Sequence, residues 1–178
     1  METDATFRRA GDGASGMTRF QPKNLDFRAV ATDTFERQRA MQTLGISIAR
    51  LEPGEVDLAM GYRAEFTQQN GFVHGGIVTA GLDTACGIAA FTLMPEGSDI
   101  LTVEFKTNLL APARGERFAF RATVVKAGRT LTVCEGRAFA WHDGVETLIA
   151  TMSGTLMALP RRDGATSQGQ GAGLGLKR

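Results

Sequence analysis

One charged side chain stands inside an otherwise apolar stretch of the sequence. Between Gly76 and Met94 there is no Lys, Arg or Glu, and the only charged residue is Asp83. A helix that is apolar on nearly all sides is expected to be buried, where a carboxylate is costly unless it is paired or used in chemistry. Asp83 is therefore a candidate site residue. The alternative is a core aspartate satisfied by the hydroxyl of Thr79 or Thr84.

The same stretch opens with His74, Gly75 and Gly76, at the start of the expected helix. Backbone N–H groups in a first helical turn have no helical partner and point outward, and the helix dipole favours negative charge there. These N–H groups could stabilise an oxyanion as it forms. The alternative is that the two glycines only provide a permissive turn.

The spacing between these two features predicts how the protein assembles. Gly75 and Asp83 are eight residues apart, which on one helix is about 12 Å along the axis with a difference in facing of roughly 80°. A reacting carbonyl must lie about 3 Å from its donors and similarly near its base. Because one helix cannot supply both, we expect a two-fold homodimer in which one helix start faces the partner's Asp83.

Composition limits the class of protein. With 178 residues and 43% hydrophobic content the chain is one ordinary domain with a core, and its net charge of +1 argues against nucleic-acid binding. The two cysteines, Cys86 and Cys134, are expected to be free thiols, and the first residues lack the apolar run of a signal peptide. These features predict a cytoplasmic protein. The central Asp83 argues against reading the apolar stretch as a membrane span.

Hydrophobic periodicity predicts the element order. Residues 1–32 form a weakly ordered arm, residues 33–160 form the domain, and the Gly/Ser/Gln-rich residues 161–178 form a disordered tail. The expected elements are a helix from Asp33 or Thr34 to about Leu44 with Gly45 as its stop, and strands 46–52 and 55–63 joined by a turn at Pro53-Gly54. The apolar helix follows, and then strands 100–110, 116–126, 129–141 and 145–159.

Alternation in the later strands predicts their buried faces. In strand 100–110, one face is expected to carry five residues: Leu101, Val103, Phe105, Thr107 and Leu109. Strand 116–126 is expected to place Phe118, Phe120, Ala122 and Val124 together. We expect both stripes to belong mainly to the core.

The element order and one motif resemble a known family. Residues 69–76 read Gln-Asn-Gly-Phe-Val-His-Gly-Gly, and Asp-Thr-Ala follows at 83–85. Over residues 33–159 the chain resembles the hotdog fold, and more specifically the PaaI-type acyl-CoA thioesterases. The resemblance implies an α+β fold in which a curved antiparallel sheet of about six strands wraps round one long apolar helix. It implies hydrolysis of an aryl- or medium-chain acyl-CoA without cofactor or metal.

The resemblance also implies roles for the catalytic residues. Asp83 matches the carboxylate that acts as general base or as nucleophile, two roles that the sequence leaves open. Gly75 matches the residue whose N–H polarises the thioester oxygen. Thr102 falls where relatives carry a hydroxyl near the attacking water, and His74 mostly shapes the loop before the helix. In the expected dimer, Gln68 and Gly75 come from one chain, and Asp83 and Thr102 come from the other.

Further residues are candidates for binding substrate. Gln68 falls where relatives carry Asn or Gln near the water or the leaving sulfur, and Asn70 is a nearby competitor for this role. Gly76 follows the oxyanion donor. Arg114 and Arg129 lie near predicted strand ends, where they could meet the phosphates of coenzyme A.

Other chemistries are less well supported by the sequence. The only histidines, His74 and His142, do not have zinc-ligand spacing, and His142 is expected at a strand end. Cys86 is expected to be a core thiol with a raised pKa. Two other functions are kept open: a module that binds acyl thioesters without hydrolysing them, and a dehydratase, which would need a differently placed histidine. Expected partners are acyl-CoA and a second copy, with a dimer of dimers as an option, and neither nucleic acid nor membrane.

Overall fold

The structure, a computed structural model, describes residues 20–160. The first part of this range holds helices α1 (Phe27–Glu36) and α2 (Arg39–Leu44), strands β1 (Ile46–Glu52) and β2 (Glu55–Gly61), and a single 3-10 turn (Ala64–Phe66). The long helix α3 (Gly75–Phe91) follows, and then strands β3 (Ser98–Leu109), β4 (Arg117–Ala127), β5 (Leu131–His142) and β6 (Val145–Pro160).

All six strands form one antiparallel sheet in the order β1-β2-β4-β5-β6-β3. Helix α3 packs against every strand of this sheet, so the sheet curves round the helix. This architecture confirms the predicted α+β hotdog fold. Strands β1 and β3 form the two edges of the sheet.

The core lies between α3 and the inner face of the sheet. Phe118 and Phe120 of β4 and Leu82 of α3 are fully buried there. Gly81 allows the helix to approach closely, because a Cβ atom at this position would lie 2.7 Å from the ring of Phe120. The helix backbone therefore rests directly on an aromatic ring.

The expectation that α3 is buried on all sides is wrong for one stripe of the helix. Besides Gly75 and Ile77 in the first turn, six residues of α3 keep at least part of their surface exposed: Gly76, Thr79, Ala80, Asp83, Thr84 and Gly87. They lie on one side of the helix because they recur at intervals of three and four residues. The single sheet covers only the opposite side of the helix. We call these six residues the open stripe.

The predicted face of β3 is also wrong, because β3 contains a bulge. Thr102 pairs with Leu156 and Glu104 pairs with Thr155, so Val103 is an extra residue opposite the β6 strand. A bulge of this kind reverses the alternation on either side of it. Thr102 therefore lies on the helix-facing side together with Thr107 and Leu109. In a strand without the bulge, Thr102 would lie on the opposite side from both.

The core prediction holds for β4 and fails for β3. Phe118, Phe120, Ala122 and Val124 are all fully buried. The apolar residues of β3 are exposed, with Leu101 at 56%, Phe105 at 45% and Leu109 at 61%. The difference arises because β4 is a central strand and β3 is an edge strand with no neighbour on its outer side.

The first helical segment differs from its prediction. Helix α1 begins at Phe27, inside the segment assigned to the arm, and Asp33 lies within it instead of capping it. A break at Gln38 separates α1 from α2, which ends at Gly45 in the left-handed conformation as expected. None of the helices between residues 20 and 160 has the length and hydropathy needed to cross a membrane. The predicted tail, 161–178, lies outside the described residues.

Candidate functional site

The start of α3 presents one free backbone donor. His74 is the N-cap, and its Nδ1 accepts a 2.9 Å hydrogen bond from the N–H of Gly76. The N–H of Gly75, the first helical residue, has no acceptor among residues 20–160. The Gly75 N–H is thus a free donor at the helix start, whereas the Gly76 N–H, a substrate contact in the sequence prediction, is already engaged by His74.

Gln68 lies beside this donor in the loop that leads into α3. Its backbone N–H donates to Phe72 O at 2.8 Å, and its side-chain Oε1 accepts the N–H of Asn70. Because an N–H donor must meet an oxygen, this contact fixes the orientation of the Gln68 amide and leaves its NH₂ group free to donate. Asn70 is exposed and lines no cavity near Gly75, so the geometry favours Gln68 over Asn70.

Two cavities meet at Gly75 and Gln68. The first, of about 460 Å³, is walled mainly by apolar residues, including Phe72, Val78 and Ile149, and we call it the apolar cavity. The second, of about 500 Å³, is lined mainly by polar residues and glycines: Gln68, Gln69, His74, Gly75, Gly76, Thr79 and Thr107, with Leu109. We call this second space the polar cavity.

Leu109 connects the start of α3 to β3. A Cβ atom at position 75 would lie 2.7 Å from Leu109 Cδ1, so glycine is needed for this close contact. Leu109 also lines both cavities and forms part of the wall between them. The end of β3 is thereby fixed beside the free N–H of Gly75.

Asp83 lies on the open stripe of α3, where Thr102 of β3 reaches it. The Thr102 hydroxyl donates a 2.8 Å hydrogen bond to Asp83 Oδ1. Asp83 Oδ2 makes no hydrogen bond to any residue between 20 and 160. The carboxylate is therefore held at one oxygen and free at the other, next to an exposed surface.

The structure thus separates the predicted site residues into two groups. Gln68, His74, Gly75 and Gly76 gather at the start of α3, and Arg114 lies beside them, directly after Ala113 of the apolar cavity wall. Asp83 and Thr102 form the second group, with neither residue lining the cavities at Gly75.

The two arginines fall on opposite sides of this division. Arg114 precedes β4 and Arg129 follows it, so the 11 residues of this strand separate them, a span of roughly 33 Å. Arg129 lies in the turn before Leu131, and Thr132 then aligns with Leu156 and Thr102 across the sheet. Both side chains are exposed, and their binding of phosphate stays a prediction.

Both cysteines are buried and unpaired. Burial raises the pKa of Cys86, with further contributions from Cys134 and Asp83. Burial likewise raises the pKa of Cys134, to about 12. The expectation that Cys86 is a core thiol is confirmed by its 1% exposure.

His142 ends β5 as expected and contacts two carboxylates. Its Nδ1 lies 2.9 Å from Glu116 Oε1 and its Nε2 lies 3.6 Å from Asp143 Oδ2. The hydrogen bond from His142 lowers the pKa of Glu116 below its usual range. Among the described residues these three form a group that could reach one metal ion. His142 and Asp143 lie at the β5–β6 hairpin and Glu116 lies just before β4, and none of the three lines either cavity.

Sequence comparison agrees with this geometry. A sequence model of the thioesterase superfamily matches residues 70–147, which include the start of α3, Asp83 and Thr102. A solved thioesterase family protein from Silicibacter pomeroyi is 57% identical, covers 75% of this chain and 98% of its own, and superposes with a TM-score of 0.75. The chain belongs to the thioesterase superfamily. The family resemblance in the sequence is thereby confirmed.

More distant relatives match the chain at lower sequence identity or over part of their length. The PaaI protein of E. coli, from the phenylacetic acid degradation operon, is 18% identical with a TM-score of 0.67, covering 76% of this chain and 95% of its own. A Saccharolobus solfataricus protein whose name places it provisionally among the esterases is 34% identical over 92 residues, 52% of this chain. The matches span just under two thirds of the first two curated relatives, 65% and 64% of their lengths.

Several lining residues were not predicted as site residues. Gln69 and Phe72 lie within the motif that carried the resemblance, so their position was a usable signal. Thr107 and Ile149 are far along the chain from that motif and reach the cavities only through the sheet. No local pattern marks either of them.

Proposed function

We propose that this thioesterase superfamily member hydrolyses an aryl- or medium-chain acyl-CoA to the free acid and coenzyme A, at sites shared by two copies of the chain. One observation carries the proposal: the donors at the start of α3 and the carboxylate in its middle do not meet. Gly75 and Gln68 are at the start of α3, whereas Asp83 is about two turns further on. Each group lacks the partner that thioester hydrolysis needs.

The donors at the start of α3 suit the thioester oxygen. The free N–H of Gly75 and the free NH₂ group of Gln68 both line the space beside the helix start. As the carbonyl carbon becomes tetrahedral, its oxygen gains negative charge, which these donors and the helix dipole stabilise. His74 supports this arrangement by capping the helix without contacting the oxygen itself.

Asp83 suits the attack on the carbonyl carbon. Thr102 holds Oδ1, and Oδ2 is free either to take a proton from water or to attack directly. In both cases the coenzyme A thiolate leaves, and its conjugate acid has a pKa of about 8.5, so departure needs little assistance. The geometry is compatible with general base and nucleophile alike.

A two-fold dimer would bring these groups together. The exposed apolar residues of β3 lie next to the open stripe of α3, and a patch of this kind is typical of an interaction surface. Within one chain Thr102 is beside Asp83, and Leu109 is beside Gly75. Antiparallel pairing of two β3 edges centred between Phe105 and Lys106 would place Thr102 of each copy opposite Leu109 of the other. Both sites would then be complete.

The remaining parts of the proposal concern the cell and the coenzyme. Arg114 on the donor side and Arg129 on the carboxylate side would meet at one site only across such a dimer, where they could contact coenzyme A phosphates. The two buried, unpaired thiols support a reducing compartment, and we propose the cytoplasm.

A thiol-release assay against aryl and alkyl acyl-CoAs tests the proposal. We expect turnover by the wild-type protein and a loss of about 100-fold or more in Asp83→Asn and Asp83→Ala, with the dimer retained by light scattering. Retained turnover in these variants would remove Asp83 from the mechanism. Binding of acyl-CoA without thiol release by the wild-type protein would favour the non-catalytic module.

A further inference from the structure

The two cavities that meet at Gly75 differ in chemistry, and this difference orients the substrate. A thioester has an acyl group on one side of its carbonyl and a sulfur on the other. If the carbonyl oxygen is at the Gly75 N–H, each side must occupy a different space. The apolar cavity and the polar cavity both open at this residue.

The apolar cavity has the character of an acyl pocket. Its most buried walls are Val78 and Ile149, each 1% exposed. The carbonyl of Ile149 accepts the N–H groups of Leu110 and Ala111, at 2.9 and 3.3 Å, so the polar backbone atoms of this wall are satisfied internally. Among residues 20–160, no Asp, Glu, Lys, Arg or His lines the cavity, and Gln68 is the only polar side chain in its lining.

The polar cavity differs in the side chains that line it. Gln68, Gln69, His74 and Thr79 supply groups that can form hydrogen bonds. Thr107 also lines this cavity, but its Oγ1 is buried. The polar cavity therefore suits the attacking group and the sulfur side of the thioester, and the apolar cavity is left for the acyl group.

We propose that the acyl group enters the apolar cavity, and that the protein selects unfunctionalised hydrocarbon acyl groups over acyl groups that end in a hydroxyl or a carboxylate. This inference rests on the proposed thioesterase function. A volume of about 460 Å³ is within the usual range of small-molecule pockets, roughly 300–1,000 Å³. A polar end group would be desolvated there beside a wall to which residues 20–160 of this chain contribute no charged side chain.

Matched substrate pairs test the proposed selectivity. Octanoyl-CoA and suberoyl-CoA have the same chain length, but suberoyl-CoA ends in a carboxylate; phenylacetyl-CoA and 4-hydroxyphenylacetyl-CoA differ only by a hydroxyl. We expect kcat/KM to fall roughly 100-fold or more for the carboxylate and about 10-fold or more for the hydroxyl. Equal or higher kcat/KM for the functionalised member of either pair would overturn the inference while leaving the thioesterase function intact.

Two variants test separately which part of the substrate each cavity binds. Ala111→Phe narrows the apolar cavity, so the ratio of kcat/KM for octanoyl-CoA to that for butyryl-CoA should fall at least about 10-fold. Thr79→Val removes a hydroxyl of a partly exposed residue that lines the polar cavity, so it should lower kcat/KM for both chain lengths and change their ratio by less than about twofold. A changed ratio in Thr79→Val with an unchanged ratio in Ala111→Phe would reverse the assignment and overturn the inference.

A binding measurement separates this inference from the proposed function. In Asp83→Asn, we expect titration calorimetry to show octanoyl-CoA binding at least about 10-fold more tightly than suberoyl-CoA. If the wild-type protein releases no thiol from any substrate but this preference holds, the hydrolase proposal fails and the acyl cavity stands. Equal binding of the two ligands would overturn the cavity assignment.

Discussion

Thr102 reaches Asp83 because a bulge at Val103 interrupts the regular alternation of β3. The Thr102 hydroxyl donates a 2.8 Å hydrogen bond to Asp83 Oδ1, and the bulge at Val103 places Thr102 on the helix-facing side together with Leu109. In a regular strand, residues 102 and 109 face opposite sides. The bulge therefore allows one strand to serve both Asp83 and Gly75.

The hydroxyl of Thr102 is expected to matter for turnover and not for folding. Thr102→Val should lower kcat about 10-fold, because a hydrogen bond to a charged group contributes roughly 1.5–3 kcal/mol. Thr102→Ser should retain most of the activity. Steady-state kinetics with octanoyl-CoA measure this effect.

Thr155 provides a matched control for this prediction. Its hydroxyl donates a 2.9 Å hydrogen bond to Glu104 Oε1, so Thr155→Val removes the same kind of contact on the neighbouring strand. We expect kcat to be unchanged in Thr155→Val. Equal losses in the two valine variants would assign the effect to the sheet and not to Asp83.

Shared sites predict recovery of activity in a mixed dimer. Asp83→Asn and Gln68→Ala should each lose about 100-fold or more as homodimers. A heterodimer of the two variants contains one site with both Gln68 and Asp83 intact, so it should recover about half of the wild-type activity.

Two different affinity tags allow this heterodimer to be purified after co-expression. The thiol-release assay then reports its activity directly. A heterodimer as inactive as its parents would mean that Gln68 and Asp83 act within the same chain, and the shared-site proposal would be abandoned.

The apolar edge of β3 is expected to form the dimer interface. Phe105 is 45% exposed on this edge, and a charge placed there opposes both desolvation and strand pairing. Phe105→Asp should therefore yield monomers by size-exclusion chromatography with light scattering, with loss of turnover. Val145, 63% exposed at the β5–β6 hairpin, supplies the control: Val145→Asp should remain dimeric and active.

The thiols are expected to be inert in the folded protein. Burial raises the pKa of Cys134 to about 12 and also raises that of Cys86, so little thiolate is present at pH 8. Iodoacetamide at pH 8 should leave turnover unchanged, and mass spectrometry should detect both cysteines alkylated only after denaturation. Rapid inactivation with modification of Cys86 would contradict its placement in the core.

Two glycines of α3 should respond to alanine in opposite directions. Gly81→Ala introduces a Cβ atom 2.7 Å from the Phe120 ring, and overpacking of this kind lowers the free energy of unfolding by about 1–3 kcal/mol. No packing neighbour from residues 20–160 lies within 4 Å of a Cβ atom added at Gly87, so Gly87→Ala should raise that free energy by up to about 1 kcal/mol. Urea denaturation measures both, and a stabilised Gly81→Ala would contradict the close packing.

Local patterns predicted the features that depend on neighbouring residues. The composition of α3, the turns at Pro53 and Gly54, and the alternation in β4 all indicate elements that the structure contains. The eight-residue spacing of Gly75 and Asp83 also anticipated their separation, because helix geometry fixes it.

Features that depend on distant residues were missed. The bulge at Val103 arises from pairing with β6, about 50 residues later, and nothing in the local sequence indicates it. The exposure of Phe105 follows from the position of β3 at an edge, which is a property of the whole sheet. Ile149 reaches the apolar cavity by the same long-range pairing.

The contact between Gly81 and Phe120 has a mechanical consequence for the chemistry. Gly81 lies between Gly75 and Asp83, so the helical segment that carries both residues packs against the ring of Phe120. If α3 shifts, the Gly75 N–H and the Asp83 carboxylate move as one body. In the proposed dimer, a distortion at this one contact would disturb both proposed sites at once.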